Sequence, residues 1–427
     1  MNAIASCLAS MIEETAIHPW ENLAPNLQKH IQQAIASAKP PSCIVYPRTQ
    51  GELAAVIAEA HRQNWRVLPV GKGSKINWGG LSTDIDIVVS TERINQLIAH
   101  AVGDLTVTVE AGMQFCHLQE ILAKSRQFIA LDPSKPELAT IGGIIATADT
   151  NSLRQRYGSV RDQLLGITFV RADGEIAKAG GRVVKNVAGY DLMKLFTGSY
   201  STLGVISQVT FRVYPLPAAS ATVVLTGRPE AISQAAISLR NSALTPTQAD
   251  LLSTKLVSTL GGNQGLGLMA RFQSISESVQ EQSRRLLGMG QELGLDGIIH
   301  VDEHEAHLWQ RLREIMDNPV KDSGISCKIG VLPSASVEVL SQAGMGLIHL
   351  SSGLGLWQCE DKNQVLKMRD RCQSHRGFLS ILTAPKTVKQ AIDVWGEAGN
   401  SLQVMRQIKK QFDSKNIFSP GRFVGGI

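Results

Sequence analysis

Apolar positions along the chain repeat with two periods, and the places where the period changes mark its elements. "CIVYP" from Cys43 is a short apolar run stopped by Pro47, which reads as a strand. Thr49 and Glu52 have the spacing of a capping box, and Leu53, Val56, Ile57 and Ala60 follow on one helical face. "RVLPV" from Arg66 is the next strand, so this stretch has the length of a strand–helix–strand crossover. "DIDIVVS" and "DLTVTVEAG" alternate as strands, the second feeding a helix over Phe115, Leu118, Ile121 and Leu122. "ATIGGIIATAD" from Ala139 opens a further helical run, and "LLGITFVRADGEIAKAG" is a hairpin turning at Asp173-Gly174. "VISQVTFRVYPLP" alternates with Val205, Val209, Phe211 and Val213 on one face, and Pro215 and Pro217 mark a boundary. Residues 1–40 read as a polar-to-amphipathic helical extension ending at Pro40-Pro41.

From about Ala218 the pattern changes. Helices such as 229–241 and 276–294 alternate with strands such as "GLGLMARF" and "MGLIHLSS", the signature of a separate α+β domain. A length of 427 residues exceeds one typical core and agrees with two or three domains. With 43% hydrophobic and 19% charged residues the chain is globular material, not disordered. Its net charge of +5 comes from basic residues scattered among acidic ones, without a basic tract interleaved with aromatics. That pattern speaks against nucleic acid as a partner. The six cysteines, Cys7, Cys43, Cys116, Cys327, Cys359 and Cys372, include no Cys-x-x-Cys, which argues against an iron–sulfur cluster or a zinc ribbon. Free thiols, a first twenty residues without a secretion pattern, and no apolar run of about 18 residues lead to the expectation of a cytoplasmic protein with no membrane span.

Three glycine-rich loops precede residue 206. Gly71 to Gly80 follows a strand, and its amides could form an anion-binding nest. It matches neither the Walker nor the Rossmann glycine pattern. "ELATIGGIIATAD" places Thr140 and Gly142-Gly143 at a helix start, where a phosphate group or a tight helix–sheet contact explains the glycines equally well. "VVKNVAGYDLMKLFTGSYSTLGVI" spends Gly189, Gly198 and Gly204 in one stretch beside Lys185, Asn186, Tyr190 and Asp191. Glycine costs roughly 1 kcal/mol against alanine in a helix, so three in one stretch ask for positive φ or for something lying on bare backbone. Three such loops on one domain point to a large phosphate-bearing cofactor.

The order "PVGKGSKINWGG", "DPSKPELATIGGIIATADTNSLRQRYGSVRDQLLG", "GGRVVKNVAGYD" and "TGSYSTLGVI" resembles the FAD-binding domain of the PCMH/vanillyl-alcohol oxidase superfamily. "KNVAGYD" is most similar to the E subunits of glycolate oxidases, and the tail "FDSKNIFSPGRF" is similar to the family's closing motif. The resemblance implies an α+β fold: a two-subdomain PCMH-type FAD-binding domain over 41–216 after the extension 1–40, an α+β cap over 217–400, and a segment 401–427 returning to the FAD domain. It implies that Val70, Gly71, Lys72, Gly73 and Ser74 wrap the FAD pyrophosphate, with Lys75 and Trp78 close by. Pro133, Thr140, Ile141, Gly142, Gly143 and Ala146 would hold the pyrophosphate and the dimethylbenzene side. Gly158, Arg161 and Asp162 would lie beside the cofactor, and Gly204, Val205 and Ile206 along the adenine, with Lys185 and Asn186 facing the cofactor side, a solvated turn being the equal alternative for Lys185. Ser74 stands where some relatives carry a flavin-linking histidine, which implies non-covalent, dissociable FAD. Ser201 replaces a family glycine and would be strained if its φ is positive. "ADTNSLRQ" also lacks a glycine common in that segment.

Flavin supplies the redox chemistry and the protein supplies orientation and electrostatics. Oxidising a 2-hydroxy acid needs a base or metal for the hydroxyl and a cation for the carboxylate. Relatives of the D-subunit type carry paired histidines for this, whereas the comparable segment here, "AGMGLIHLSSGLG", has His349 alone, read as a packed residue. His304 and His307 share a helix face amid Asp302, Glu303 and Glu305, which reads as a solvated face before a metal site, and Arg311 and Arg313 are candidate carboxylate holders that surface salt bridges explain equally well. No metal and no catalytic residue is assigned. The resemblance implies an FAD subunit passing electrons between a substrate-oxidising flavin subunit and an iron–sulfur subunit, through which it could sit at a membrane. A self-sufficient dehydrogenase of glycolate or D-lactate is the alternative, followed by an assembly subunit with a vestigial site.

Overall fold

A computed structural model describes residues 3–181, 189–318, 323–397 and 399–427. Lys185 and Asn186 lie outside the described residues. The chain is a mixed α+β protein of two compact units. The first joins Met1–Thr150, Ser159–Pro215 and Lys386–Ile427, and the second joins Asn151–Gly158 and Leu216–Pro385. The returning segment thus begins at Lys386, ahead of the expected 401.

In the first unit a four-stranded sheet runs, in spatial order, Ile17–Pro19, Cys43–Val45, Ile87–Ser90 and Val67–Val70. Its last three strands are parallel. Ile44, Leu68 and Val88 pack on Ile31 and Ile35, while Val45, Val67 and Val89 pack on Leu53, Val56 and Ile57. Burial on both faces is why these strands read as unbroken apolar runs. The helix Gln50–Gln63 starts where the capping pair predicts: Glu52 N donates to Thr49 Oγ1 at 3.1 Å. The Glu52 carboxylate accepts from Arg48 N at 2.7 Å, one residue before the cap. The N-terminal extension is not one helix. Pro19 and Pro25 break it into Ala3–Leu8, the edge strand Ile17–Pro19 and Pro25–Gln32.

The second sheet of this unit is antiparallel, in the order Leu97–Ala101, Thr106–Glu110, Val205–Arg212, Leu164–Val170 and Ile176–Gly180. The expected single face of Val205, Val209, Phe211 and Val213 is corrected by a bulge. Ile206 pairs with Phe169 and Gln208 with Thr168, so Ser207 is an extra residue. An inserted residue reverses the parity of a strand. Ile206 therefore joins Val209, Phe211 and Val213 in one core, and Val205 turns to the core of the parallel sheet.

The returning segment is held by a buried cation. Lys409 Nζ donates to Asp413 Oδ2 at 2.6 Å, Thr202 O at 2.8 Å and Phe418 O at 3.0 Å. Asp413 also accepts from the amides of Ile417 and Phe418. Burial pulls the Lys409 ammonium pKa down, and Asp413 opposes that pull. The pair places the 417–419 backbone beside Val67, whose amide donates to Ile417 O at 2.7 Å.

The second unit is built on an eight-stranded antiparallel sheet. Its spatial order is Asp296–Val301, Ala219–Gly227, Leu266–Ser274, Gln248–Leu252, Met345–His349, Leu354–Cys359, Ile325–Gly330 and Phe378–Thr383. Pro229–Asn241, Ser276–Glu292, Asp302–Asp317 and Lys362–Ser374 are its long helices.

Removing one member of a buried ion pair strands the other charge and costs about 3–5 kcal/mol. Asp413→Ala should lower stability by that amount in chemical denaturation, and Lys409→Met with Asp413→Leu should recover part of the loss. An Asp413→Ala variant as stable as the parent would show that the pair does not hold the segment.

Candidate functional site

The strand Val67–Val70 delivers the chain into the loop Gly71–Gly80, which forms one wall of a cleft. Gly71 has to be glycine, because a Cβ there would lie 2.1 Å from Thr140 Oγ1. Gly73 sits at φ +78°. Among the described residues, the amides of Lys72, Gly73 and Ser74 find no acceptor in the protein. Three adjacent open donors are an anion-binding nest. The cleft encloses about 640 Å³, counting space open to solvent. It is lined by Pro69, Val70, Gly71, Gly73, Ser74, Lys75, Ile76, Thr91, Thr140, Gly142, Gly143, Ala146, Thr147, Tyr200, Ser201, Val205, Ile206 and Arg422.

The loop's carbonyls are held from behind by cations. Arg422 is 6% exposed, and its Nη2 donates to Ile76 O at 2.7 Å and Lys75 O at 3.2 Å. Its Nη1 is buried without a partner. Lys389, 8% exposed, donates to Gly79 O at 2.8 Å and to Asn77 O. Burial, reinforced by Arg422, lowers the Lys389 pKa to about 7, and burial lowers that of Arg422 to about 10. Lys75 differs: it pairs with Asp149 at 3.0 Å, both side chains being buried. Among the described residues no carboxylate pairs with Arg422 or Lys389. Burying unpaired charge is costly; Arg422 lines the cleft and Lys389 does not, so a ligand that brings negative charge would meet Arg422.

The helix Ile141–Thr147 forms the facing wall, with Thr140 as its cap accepting from Gly143 N. Its first amides are not free for an anion. Ile141 N donates to Met113 O at 2.9 Å and Gly142 N to Ala111 O at 2.8 Å. A Cβ on Gly142 would lie 2.9 Å from Ala111 Cβ, so Gly142 serves a tight helix–sheet contact. At Gly143 a Cβ would meet only Thr140 Oγ1, at 3.2 Å. Of the two glycines the sequence left undecided, 142 belongs to packing and 143 is the open one.

Behind this helix the "GSYSTLG" turn folds back on its last carbonyls. Gly198 N donates to Ile145 O at 2.9 Å and Tyr200 N to Ala146 O at 2.7 Å. Gly198, Tyr200 and Ser201 have φ of +81°, +53° and +59°. Two consecutive non-glycine residues in the left-handed region cost of order 1–3 kcal/mol each. Gly189 also has positive φ, whereas Gly204 is glycine because a Cβ would lie 2.8 Å from Val170 O.

Several residues suggested by the sequence lie outside the cleft lining. The Lys72 ammonium sits 3.8 Å from Glu92, and Trp78 lies under the Lys75 ammonium at 5.7 Å. Ile141 is core, and Pro133 precedes Ser134, whose amide donates to Asp149 at 2.9 Å. Arg161 pairs with Asp191, Asp162 caps the short helix Val160–Gln163, and Gly158 belongs to the second unit. Sequence reading missed Pro69, Ile76, Thr91, Thr147, Tyr200, Ser201 and Arg422 as lining residues. Arg422 was within reach in "SPGRF", but nothing in one sequence says that its side chain is buried.

In the second unit His349 is not merely packed. Its Nδ1 lies 2.6 Å from Asp250 Oδ1, which also accepts from Ser152 Oγ at 2.9 Å, and both His349 and Asp250 are buried. Such a pair orients an imidazole for proton transfer. His304 and His307 are exposed, while Glu305 between them turns inward to Ser220, Thr222 and Arg271. Arg311 is tied to the carbonyls of Thr259 and Leu260, and Arg313 is exposed.

Comparison with known proteins meets this geometry. Residues 41–180 match the FAD binding domain family. The mitochondrial D-lactate dehydrogenase [cytochrome] of Arabidopsis thaliana is 25% identical over 425 residues, covering 90% of this chain and 73% of that protein. The glycolate oxidase subunit GlcD of Bacillus subtilis is 29% identical over 184 residues, which is 43% of this chain and 39% of GlcD. The fold is that of p-cresol methylhydroxylase, with a TM-score of 0.74 at 13% identity over 98% of this chain and 96% of that one. FAD is the cofactor, and the open amides of Gly73 and Ser74 beside Arg422 suit its diphosphate.

Gly143→Asp, which sets a carboxylate at the cleft, should abolish flavin binding in a folded chain, whereas Gly142→Asp should destabilise the fold by clashing with Ala111. Flavin absorbance and thermal melts of both variants separate the two effects, and full flavin content in Gly143→Asp would remove this wall from the site. Above pH 7 the flavin-free chain holds Lys389 increasingly neutral, and an anion bound beside Arg422 would favour the ammonium by offsetting the Arg422 charge that now opposes it. FAD binding should therefore take up a proton, and affinity should fall as pH rises from about 7 to 9. The same burial penalises the flavin-free fold below pH 7 and is relieved as pH rises towards the lysine's ordinary value. Fluorescence titration of the flavin-free chain should show that slope, and Lys389→Met should flatten it.

Proposed function

We propose that this chain, an FAD-dependent oxidoreductase with a PCMH-type fold, is the FAD subunit of a 2-hydroxy acid dehydrogenase complex of the glycolate oxidase kind. When bound, FAD would supply the two-electron redox chemistry, and the chain's residues would hold and orient it. The observation that supports the proposal is the cleft: Gly73 and Ser74, whose amides have no acceptor in the protein, line it together with Arg422, whose Nη1 is buried without a partner. In this reading the amides and Arg422 hold the diphosphate and Ser74 adds a hydroxyl. Val205 and Ile206 receive the adenine along a backbone edge that Thr106–Glu110 pairs only from Gln208 onward. Ser74 offers no histidyl bond, so the cofactor is held without a covalent link.

The role of relay subunit is supported by the sequence resemblance to E subunits and by the solitary His349. A partner would then oxidise the 2-hydroxy acid, and an iron–sulfur subunit would take the electrons onward. No helix among the described residues is long and apolar enough to cross a membrane.

One observation favours a second reading, that the chain oxidises a 2-hydroxy acid unaided. The buried Asp250–His349 pair is an arrangement that accepts a proton, and Ser152 fixes the carboxylate. On this reading His349 takes the hydroxyl proton of glycolate or D-lactate and Asp250 stabilises the imidazolium.

Anaerobic addition of glycolate or D-lactate to the flavin-loaded chain decides between them. The relay reading predicts an unchanged flavin spectrum, with bleaching once the partner flavin subunit is added. Bleaching by substrate alone, lost by a factor of about 100 or more in rate in His349→Asn, would establish the second reading instead.

A further inference from the structure

The outer strand of a sheet carries a row of amides and carbonyls that could pair with another strand, and proteins blunt such edges with proline, lysine or a bulge. Among the described residues this chain does so at every edge of its three larger sheets but one. Pro19 and Pro69 stand in the outer strands of the four-stranded sheet. In the five-stranded sheet Ile98 is an extra residue in Leu97–Ala101, and Lys178 stands in Ile176–Gly180. At one end of the eight-stranded sheet Leu382 is an extra residue in Phe378–Thr383. The strand at its other end, Asp296–Val301, has none of these devices, and it pairs with residues 226 to 221 without a register shift.

This strand also exposes apolar side chains on both faces. Ile298 is 58% exposed on one, and Ile299 and Val301 are 36% and 45% exposed on the other. Its residues fit it to a second copy of itself. Hydrogen-bonded and unbonded positions alternate in an antiparallel pair, so a twofold pairing centres on a single residue. Centring on Gly297 keeps only residues 296–298 within the strand, since Ile299 would meet the partner's Leu295. Centring on Ile299 brings Asp296 up to the partner's Asp302, a like-charge contact. Centring on Ile298 sets Ile298 against its own copy, Gly297 against Ile299, and Asp296 against His300 at both ends. The Asp296 carboxylate accepts from Asn263 Nδ2 at 3.1 Å and keeps acceptor capacity, while the His300 ring makes no hydrogen bond among the described residues. An imidazole N–H thus meets a carboxylate twice in this register.

We propose that two copies of this chain pair through the strand Asp296–Val301, antiparallel about a twofold axis at Ile298, joining their eight-stranded sheets into one. The paired backbone supplies the contact, Ile298 its apolar centre, and the two Asp296–His300 contacts its register. Six residues from each copy make a small interface, so the dimer is reversible, with a Kd on the order of 10 µM.

The test is sedimentation of the full flavin-loaded chain over a concentration series up to about 100 µM, above the expected Kd. The parent should pass from monomer to dimer. Ile298→Lys, which sets two ammonium groups face to face across the axis, should stay monomeric throughout. Asp296→Lys should weaken the dimer about tenfold, and adding His300→Asp, which restores opposite charges in the same register, should return the Kd to within about threefold of the parent. Positions 296 and 298 are exposed in the single chain, so neither change disturbs its core. A monomeric parent, a dimer that survives Ile298→Lys, or a charge exchange that restores nothing would overturn the proposal. A parent that is monomeric alone but binds a different chain through this strand would give the edge to that chain, and would overturn it too.

Discussion

The site depends on positive charge buried without a carboxylate. Arg422 and Lys389 hold the carbonyls of residues 75, 76, 77 and 79, which fixes the loop from behind. Both come from the returning segment, which Lys409 and Asp413 anchor beside Val67. A chain that ended before that segment would have the loop but not its clamp. The arrangement is unfavourable in the free protein, since desolvated cations are paired only with dipoles. It becomes favourable when a ligand supplies the missing charge. The strained turn at Tyr200 and Ser201 lines the same cleft.

Much of this architecture was legible in the sequence, because period and punctuation report on local structure. The parallel strands read as apolar runs, Thr49 announced its helix, and Asp173-Gly174 announced its hairpin. The bulge at Ser207 was not legible, since an inserted residue leaves a plausible alternation on both sides and only the partner strand reveals the extra residue. The same limit explains Gly142 and Gly143. Adjacent and chemically identical, one faces Ala111 and the other the cleft, and only the sheet behind the helix distinguishes them. Arg422 stands 351 positions after Gly71 in the numbering, so its place in the cleft is a tertiary fact.

The second unit shows how chemistry can be hidden by a single histidine. His349 read as packing because paired histidines were absent, yet Asp250 and Ser152 give it a proton-transfer geometry. The unit also keeps its thiols inert: burial pushes the Cys359 thiol up to about 12 and Cys372 to about 11.

The central claim is that the cleft stores unpaired positive charge for the cofactor, and Arg422→Met tests it most directly by removing charge while keeping bulk. FAD affinity and the melting temperature of the flavin-free chain would be measured on the same preparation. The account predicts opposite movements: affinity weaker by about 30-fold or more, the loss of a buried charge-assisted contact, with the flavin-free fold no less stable than the parent. Unchanged affinity, or a flavin-free fold that melts well below the parent, would show that Arg422 is a structural pin and that the cofactor's charge is met elsewhere.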